Sequence, residues 1–277
     1  MNNKIEEIVR NALAEDVGPG DVTTESIVSP GSVLNGRFVA KSEGVVAGWE
    51  VVTTTFRLLD DNVKVVPLAF DGADVGKEEI IGKISGPGRA ILTGERVALN
   101  FLQRMSGIAM TARRFVKAAA GTRAIILDTR KTAPGLRILD KMAVRIGGAE
   151  NHRTGLYDML LIKDNHIAEA GGITSAVQSA RANAPKELKI EVEVRNLNEL
   201  REVLPLNADR VLLDNMSIEE MREAVQLVNG RVPLEASGNI DIHNVAAVAA
   251  TGVNYISVGM LTHSVTAMDI SLMIDKK

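Results

Sequence analysis

The chain has 277 residues, of which 45% are apolar and 24% charged, and its formal net charge is −3. These proportions are typical of a folded globular protein and exclude a disordered chain or a broadly basic nucleic-acid binder. Cysteine is absent, which excludes disulfides, zinc–thiolate sites, iron–sulfur clusters and cysteine nucleophiles. The first ten residues are polar, and no apolar run reaches membrane-spanning length, so we expect a cytoplasmic protein without membrane or nucleic-acid partners.

The first third of the chain predicts a small antiparallel sheet that carries helices. Apolar residues at helical spacing predict an amphipathic helix from about residue 4 to residue 15. Short extended segments separated by glycine turns follow, and they include residues 36–41, 63–68 and 80–84. A long helix is then expected from Gly94 to Ala120, with Thr93 as its N-cap.

After Gly121 the sequence alternates between strands and helices. Six strands are predicted, at residues 124–128, 159–163, 188–194, 210–214, 233–237 and 255–259. Helices are predicted between them, such as residues 175–183, 197–204, 218–227 and 242–250. Parallel strands joined by crossover helices explain this alternation, either as an α/β barrel or as an open α/β sheet. We favour the barrel, because the units follow one another evenly without a glycine-rich dinucleotide turn.

Every predicted strand ends in polar or small residues. They are Asp128 and Arg130, Lys163 and Asp164, Glu193, Asp214, Ser237 and Gly259. In α/β barrels the carboxyl ends of the strands converge on one mouth, where active sites are built. Ordinary strand-to-loop transitions are polar too, but six successive ends of this kind, with both signs of charge among them, favour a functional site.

The segment Ile190–Val194 places Glu191 and Glu193 on one face of its strand, opposite the valines. In a strand covered by helices, that face points into the barrel. A buried carboxylate needs a cation, a metal or hydrogen-bond donors. Lys131, Lys163 and Arg153 are candidates to supply the charge. The alternative for one of the two glutamates is a purely structural ion pair.

Basic residues concentrate in residues 128–132, in residues 151–153 and at Lys163, which indicates a ligand with several negative charges. Small residues in 235–240 and 257–262 indicate a phosphate site, because they let backbone N–H groups approach an anion. Nucleotide-binding glycine motifs and serine-hydrolase motifs are missing. The four histidines lack metal-ligand spacing, so we expect no zinc site.

These motifs together resemble the quinolinate phosphoribosyltransferase family, also called nicotinate-nucleotide pyrophosphorylase (carboxylating). The matching segments are residues 15–24, 95–102, 128–137, 151–158, 161–166, 191–194, 214–216, 235–240 and 257–264. The resemblance covers nearly the whole chain. It implies an N-terminal α/β sandwich domain over residues 1–110, which the C-terminal segment is a candidate to complete. It further implies an incomplete α/β barrel of parallel strands over residues 111–277, with seven strands where the sequence predicts six.

The resemblance also implies the reaction. The phosphoribosyl group of 5-phosphoribosyl 1-pyrophosphate would pass to quinolinate with decarboxylation, giving nicotinate mononucleotide, pyrophosphate and CO2 for NAD biosynthesis. Arg130, His152 and Arg153 would hold the quinolinate carboxylates. Arg96 would reach the same site from the neighbouring subunit of a homodimer or higher homo-oligomer.

The remaining roles follow from the same resemblance. Lys131 and Lys163 match the family's active-site lysines. Glu193 and Asp214 match the acidic pair that supports Mg²⁺ and the ribose hydroxyls. The 5′-phosphate cradle is matched by Ser237, Gly238, Asn239 and Gly259.

Two alternatives are open. The first is a related protein of the same fold, such as those associated with molybdate transport, that acts on another anionic acceptor. The presence of Arg130, His152 and Arg153 together argues against it. The second is a non-catalytic barrel that senses phosphorylated sugars. Such a protein would not need Glu193 and Asp214 in addition to the lysines.

Overall fold

The structure is a computed structural model that describes residues 2–275. The chain divides into two compact units. The N-terminal unit comprises the chain up to Arg113, the segment Thr132–Gly148 and the chain from Ser264 onward, and the barrel unit comprises Arg114–Lys131 and Ala149–His263. None of the helices within residues 2–275 combines the length and apolarity that a bilayer crossing requires.

Helices and short strands make up most of the described chain. The α-helices are α1 (Asn2–Val17), α2 (Val22–Ile27), α3 (Trp49–Leu59), α4 (Gly88–Ala118), α5 (Arg137–Ile146), α6 (Asp164–Ala170), α7 (Ile173–Asn183), α8 (Leu197–Val203), α9 (Ile218–Val228), α10 (Val245–Ala249) and α11 (Met260–His263). The strands are β1 (Val33–Ala40), β2 (Gly44–Val45), β3 (Lys64–Pro67), β4 (Asp74–Val75), β5 (Ile80–Pro87), β6 (Ile125–Leu127), β7 (Leu160–Ile162), β8 (Ile190–Val194), β9 (Arg210–Asp214), β10 (Leu234–Ser237), β11 (Tyr255–Ser257) and β12 (Ile270–Ile274).

The N-terminal unit is built on a four-stranded antiparallel sheet in the order β12-β1-β5-β3. Strand β1 is its long central member, with Phe38 opposite Leu272 of β12 and Gly82 of β5. Strands β2 and β4 form a separate two-stranded ribbon. The C-terminal strand β12 therefore completes a sheet whose other strands come from the first third of the chain.

The core of this unit centres on Trp49, at the start of α3. Its ring meets Phe38 edge to face with centroids 5.3 Å apart, and its indole N–H donates to the Ala69 carbonyl at 2.7 Å. A side chain at Gly82 would place its Cβ 2.5 Å from Trp49, so only glycine fits under the indole. Large aromatic burial of this kind supplies much of the hydrophobic stabilisation of a small core.

The long helix α4 begins at Gly88, six residues before the predicted start. The prediction that Thr93 caps this helix is wrong, because Thr93 lies inside it. The Thr93 hydroxyl instead donates to Asp21 at 3.0 Å, and Asp21 is itself the N-cap of α2. In the sequence, a threonine followed by a glycine resembles a helix N-cap. Only the contact with Asp21, at the start of α2, shows that Thr93 has a different role.

The barrel unit contains six parallel strands in the order β6-β11-β10-β9-β8-β7. All six lie within the predicted strand segments, and helices α7 to α10 fall where helices were expected. Within the described residues β6 and β7 do not pair with each other, so the sheet does not close into a complete barrel. This agrees with the predicted fold of an N-terminal α/β domain followed by an incomplete α/β barrel.

A single residue extends the sheet beyond β6. Glu150 forms one parallel bridge with Leu127, through hydrogen bonds of 2.9 Å to the Ile126 carbonyl and 3.1 Å from the Asp128 N–H. One bridged residue leaves no alternating pattern in the sequence, which explains why a seventh strand could not be predicted. This contact brings the segment after Glu150 beside the end of β6.

Candidate active site

A cavity of about 860 Å³ opens at the carboxyl ends of the barrel strands. Eleven of the twelve residues predicted for the site line it: Arg130, Lys131, His152, Arg153, Lys163, Glu193, Asp214, Ser237, Gly238, Asn239 and Gly259. They come from distant parts of the sequence because parallel strands all end at the same edge. The twelfth, Arg96, lies on α4 in the N-terminal unit.

One side of the mouth carries an ion pair between neighbouring strands. Lys163 follows β7, and its ammonium group donates to Glu193 of β8 at 2.9 Å. The Glu193 side chain is 10% exposed and that of Lys163 is 47% exposed, so the lysine can turn toward a ligand while the carboxylate stays in place. The predicted pairing of a lysine with a strand-borne glutamate is therefore observed for this pair.

The next strands in the sheet, β9 and β10, end in a hydrogen-bonded chain of polar side chains. Asp214, at the end of β9, accepts from the Asn215 amide at 2.9 Å, and Asn215 in turn accepts from Asn239 at 3.0 Å. Both asparagines adopt positive φ angles of 54° and 49°. A Cβ at Gly238 would lie 2.2 Å from the Asn215 amide oxygen, so this position requires glycine. The loop after β10 is thus tight and presents small residues to the cavity.

The third wall is the loop that follows β6. The Thr262 hydroxyl donates to the Lys131 carbonyl at 2.8 Å, which ties this loop to α11. A Cβ at Gly259 would come within 3.0 Å of His263 and 3.2 Å of the Lys131 side chain. Glycine at this position lets the lysine lie close to the backbone that follows β11.

Asp128, fully buried at the end of β6, organises the segment that carries His152 and Arg153. One carboxylate oxygen accepts the backbone N–H of His152 at 2.8 Å, and the other accepts the Asn151 side-chain amide at 2.7 Å. A carboxylate that receives such donors holds the backbone of a loop more firmly than water would. Asp128 therefore sets the direction in which the loop enters the cavity.

Below the cavity lies a buried ionic cluster made of His152, Glu191, Glu235 and Arg210. Imidazole Nε2 lies 2.9 Å from Glu191 and 3.4 Å from Glu235. The Arg210 guanidinium donates to Glu235 at 2.7 Å and lies 3.9 Å from Glu191. Both glutamates are fully buried. Glu191 thus points into the barrel as predicted, but Arg210 and His152 supply its partners, and the sequence did not single out Arg210.

The charges of this cluster act on one another. Burial and the neighbouring Glu235 charge raise the pKa of Glu191. Burial acts on Glu235 in the same direction, but His152 and Arg210 outweigh it and lower the pKa of Glu235. Burial disfavours the His152 imidazolium and acts to lower its pKa, whereas hydrogen bonds and charge from Glu191 and Glu235 act to raise it.

The proton position on His152 is decided by geometry. Nδ1 accepts the backbone N–H of Arg153 at 2.8 Å, so a proton on this nitrogen would point at another N–H group. The two glutamates favour a doubly protonated ring, whereas the Arg153 N–H requires a bare Nδ1. We assign the neutral ring with its proton on Nε2, because only this form makes both observed contacts attractive.

Arg153 and Arg130 bring two positive charges close together in the cavity. The guanidinium of Arg153 donates to the Met159 carbonyl at 3.1 Å. Partial burial, followed by the nearby Arg130 charge, lowers the pKa of Arg153, while the charges of Glu191 and Asp158 oppose this. Two guanidinium groups that repel each other favour a ligand with two negative charges.

Several cavity residues were not among the predicted site residues. They include Thr129, Asn215, Glu235, Asp241, Met260 and His263. Asn215 directly follows a predicted site residue, and His263 lies inside the segment 257–264 that carries the resemblance. Their neighbours in the sequence were therefore the available signal. Glu235 ends up beside His152 through tertiary packing alone.

Three potential metal-ligand side chains, His152, Glu191 and Glu235, lie with their ligand atoms within 4.8 Å of one another. Their separation in the sequence hides this group from any spacing rule. The Arg210 guanidinium already binds Glu235 in the cluster, so a cation there would be repelled by a resident positive charge.

The fold and the cavity define a class of protein. An incomplete α/β barrel that gathers two arginines, two lysines, four carboxylates and a glycine-containing loop at its mouth is typical of an enzyme that binds multiply charged substrates. The family models for the C-terminal and N-terminal domains of quinolinate phosphoribosyl transferase match residues 108–273 and 21–106. The chain belongs to the quinolinate phosphoribosyltransferase family.

Individual relatives agree with this assignment. The chain is 44% identical to the probable nicotinate-nucleotide pyrophosphorylase [carboxylating] of Bacillus subtilis, over 98% of this chain and 94% of that protein. It is 45% identical to the chloroplastic nicotinate-nucleotide pyrophosphorylase [carboxylating] of Arabidopsis thaliana, over 97% and 82% of the two chains. The solved nicotinate-nucleotide pyrophosphorylase of Francisella tularensis superposes with a TM-score of 0.95 at 40% identity, over 99% and 97% of the chains.

Proposed function

We propose that this protein carries out the reaction of its family. It transfers the phosphoribosyl group of 5-phosphoribosyl 1-pyrophosphate to quinolinate and releases pyrophosphate and CO2, leaving nicotinate mononucleotide for NAD biosynthesis. The observation that carries the proposal is that Arg130, Lys131, Arg153 and Lys163 line the same cavity as Glu193 and Asp214. An anion sensor needs the cations alone, whereas transfer chemistry at a ribose needs carboxylates as well.

The acceptor site is the pair of repelling guanidinium groups. Quinolinate has two adjacent carboxylates, and Arg130 and Arg153 can each pair with one of them. His152 lies at the base of the same wall. This arrangement explains why a dicarboxylate, rather than a monocarboxylate, relieves the repulsion between the two arginines.

The donor occupies the other end of the cavity. Ser237, Gly238, Asn239 and Gly259 offer small residues and backbone N–H groups to the 5′-phosphate. Glu193 and Asp214 face the ribose hydroxyls, and Lys131 and Lys163 face the region where pyrophosphate departs. As the bond to pyrophosphate breaks, the carboxylates stabilise positive charge on the ribose and the lysines stabilise the leaving group.

Mg²⁺ fits this donor site. Its preferred ligands are carboxylate and phosphate oxygens, and Glu193 and Asp214 offer carboxylate oxygens at adjacent strand ends. When bound, the ion would neutralise pyrophosphate charge. Asn215, which donates to Asp214, would keep that carboxylate in place. The exposed Lys163, which donates to Glu193 in the structure, would turn toward the pyrophosphate when the ion binds.

The order of the bond changes follows from the electronics of the ring. The quinolinate nitrogen forms a bond to the ribose anomeric carbon while the bond to pyrophosphate breaks, and the ring becomes a pyridinium. Its positive charge then stabilises the electron pair left on the ring carbon when the adjacent carboxylate departs as CO2, and that electron pair takes up a proton. The arginines hold the dicarboxylate until that step.

Further features of the proposal concern assembly and location. Arg96 would complete the acceptor site of a neighbouring subunit in a homodimer or larger homo-oligomer. The enzyme would work in the cytoplasm, because both of its substrates are small, water-soluble molecules.

The direct test is to incubate the purified protein with both substrates and Mg²⁺ and to measure nicotinate mononucleotide and CO2. We expect equal amounts of both products. Formation of a different nucleotide from another anionic acceptor would favour the related phosphoribosyltransferase, and binding without turnover would favour a sensor.

A further inference from the structure

The buried cluster beneath the cavity has more charge than its packing requires. Glu191 and Glu235 are both fully buried, and Arg210 is 17% exposed. Buried ion clusters add little net stability, because desolvation of the charges offsets their attraction. Apolar residues of the same size would fill this part of the barrel at least as well. The cluster therefore has a consequence other than stability, and its contacts indicate what that is.

Strand pairing and a contact with an aromatic ring hold the cluster in place. The Arg210 guanidinium stacks 3.9 Å above the centre of the Tyr255 ring and donates to Glu235. Arg210 of β9 pairs in register with Glu191 of β8, and Glu235 of β10 pairs with Tyr255 of β11. Four adjacent strands thus hold the two carboxylates in one place.

The two glutamates of this cluster contact one side chain of the cavity wall, that of His152. Both carboxylates face Nε2 of His152, at 2.9 and 3.4 Å. With Nε2 held there, the imidazole presents Nδ1 to the backbone N–H of Arg153 at 2.8 Å. The backbone N–H of His152 is held independently by Asp128. The orientation of Arg153 therefore depends on a ring whose position is set by Glu191 and Glu235.

We propose that Glu191, Glu235 and Arg210 are positioning residues that aim the His152–Arg153 pair at the dicarboxylate acceptor. The inference rests on the proposed function, since it concerns the acceptor end of the same cavity. The negative charge of Glu191 also offsets the repulsion between Arg130 and Arg153 before an acceptor binds. None of the three residues needs to touch substrate for this role.

The role predicts a selective loss. In a Glu191→Leu variant, Nε2 loses its nearest acceptor and keeps only Glu235 at 3.4 Å, so the ring and the Arg153 backbone bonded to it are held less firmly. KM for quinolinate should therefore rise about tenfold. KM for 5-phosphoribosyl 1-pyrophosphate should change by less than about twofold, because the donor end keeps its contacts. Glu191→Gln retains an oxygen that can accept from Nε2 but loses the charge, so it should limit the rise in the quinolinate KM to about threefold.

Asp209→Ala is the matched control. Asp209 precedes Arg210 on the chain and accepts the backbone N–H of Ile190 at 2.8 Å, so it also stabilises strands β8 and β9. It lies outside the residues that line the cavity. We expect this variant to melt at a lower temperature while the ratio of the two KM values stays that of the wild type.

The possible results distinguish failure of the positioning role from failure of the proposed function. Equal rises in both KM values, or an unchanged quinolinate KM in Glu191→Leu, would overturn the positioning role. If Glu191→Leu does not fold, Glu191→Gln decides, since loss of the charge should still raise the quinolinate KM selectively by about threefold. A wild-type protein that forms no nicotinate mononucleotide would instead count against the proposed function.

Discussion

The ring nitrogen Nδ1 of His152 accepts the backbone N–H of Arg153 at 2.8 Å. This bond exists only while Nδ1 carries no proton, although the two glutamates at Nε2 favour a second proton on the ring. The tautomer of one histidine and the placement of the neighbouring arginine are therefore linked.

This linkage predicts the spectrum of His152. Nitrogen-15 NMR at neutral pH should show one ring with an unprotonated Nδ1 and a protonated Nε2, and a His152→Asn variant identifies that signal among the four histidines. A doubly protonated ring at neutral pH would mean that the charge of Glu191 and Glu235 prevails and that the Arg153 contact is broken in solution.

Replacing Arg153 should affect one substrate much more than the other. Loss of a charged hydrogen bond to a desolvated carboxylate costs on the order of 2–5 kcal/mol, so Arg153→Ala should bind quinolinate at least tenfold more weakly. Affinity for 5-phosphoribosyl 1-pyrophosphate should be nearly unchanged. Calorimetric titration with each substrate measures this difference, and equal losses for both would refute the assignment of Arg153 to the acceptor.

Activity should require a divalent cation. Because Glu193 and Asp214 offer oxygen ligands, we expect Mg²⁺ to be preferred and excess chelator to abolish turnover. Asp214→Asn should reduce kcat strongly with an unchanged melting temperature, since the amide has nearly the same volume. Full activity in chelator would show that the acidic pair serves another purpose.

A stability prediction concerns the N-cap of α2. Asp21 accepts the N–H of Thr24 at 2.9 Å, so Asp21→Ala should cost about 1 kcal/mol and lower the melting temperature by a few degrees. Asp21→Asn keeps the cap and serves as the control. A melting curve for Asp21→Ala that matches the wild type would show that the cap contributes nothing.

The Asp21 cap also predicts how the stability of the protein depends on pH. The hydroxyl and the backbone N–H of Thr24 lower the pKa of Asp21 below its usual 3.8. The stabilisation is then fully present above that usual value and is lost as the pH falls through the lower pKa of the folded state. The difference in melting temperature between wild type and Asp21→Asn should therefore change only below about pH 4.

Composite sites predict recovery of activity on mixing. Arg96→Ala and Lys163→Ala proteins should each be nearly inactive, because every site would lack one of the two residues. After subunit exchange in equal amounts, half of the dimers are mixed and one of their two sites is intact, so about a quarter of wild-type activity should return. Native mass spectrometry confirms the heterodimers.

Failure of confirmed heterodimers to recover activity would reject the shared site. The same result would follow if Arg96 serves its own chain, or if it only stabilises α4 beside Glu95. The nearby charge of Arg96 opposes the effect of burial, which raises the pKa of Glu95, so a local interaction between these two residues exists in the structure.

The amino-acid sequence alone determined the six parallel strands, the helices α7 to α10 and the residue types at the strand ends. The period-2 alternation of Ile190–Val194, the polar strand ends and the small residues after β10 were sufficient to predict parallel strands, a mouth rich in charge and a tight loop at the cavity. These signals are local, because each depends on residues within a few positions of one another.

Only the tertiary structure decided which groups meet. Arg210 reaches Glu191 and Glu235 because three strands lie side by side, and Glu150 bridges Leu127 with a single residue. The start of α4 was likewise set by packing, since Thr93 bonds Asp21 from α2 instead of capping its own helix. Contacts between residues far apart in the chain leave no periodic pattern in the sequence. The placement of Glu191, Glu235 and Arg210 beside His152 could therefore be seen only in the folded structure.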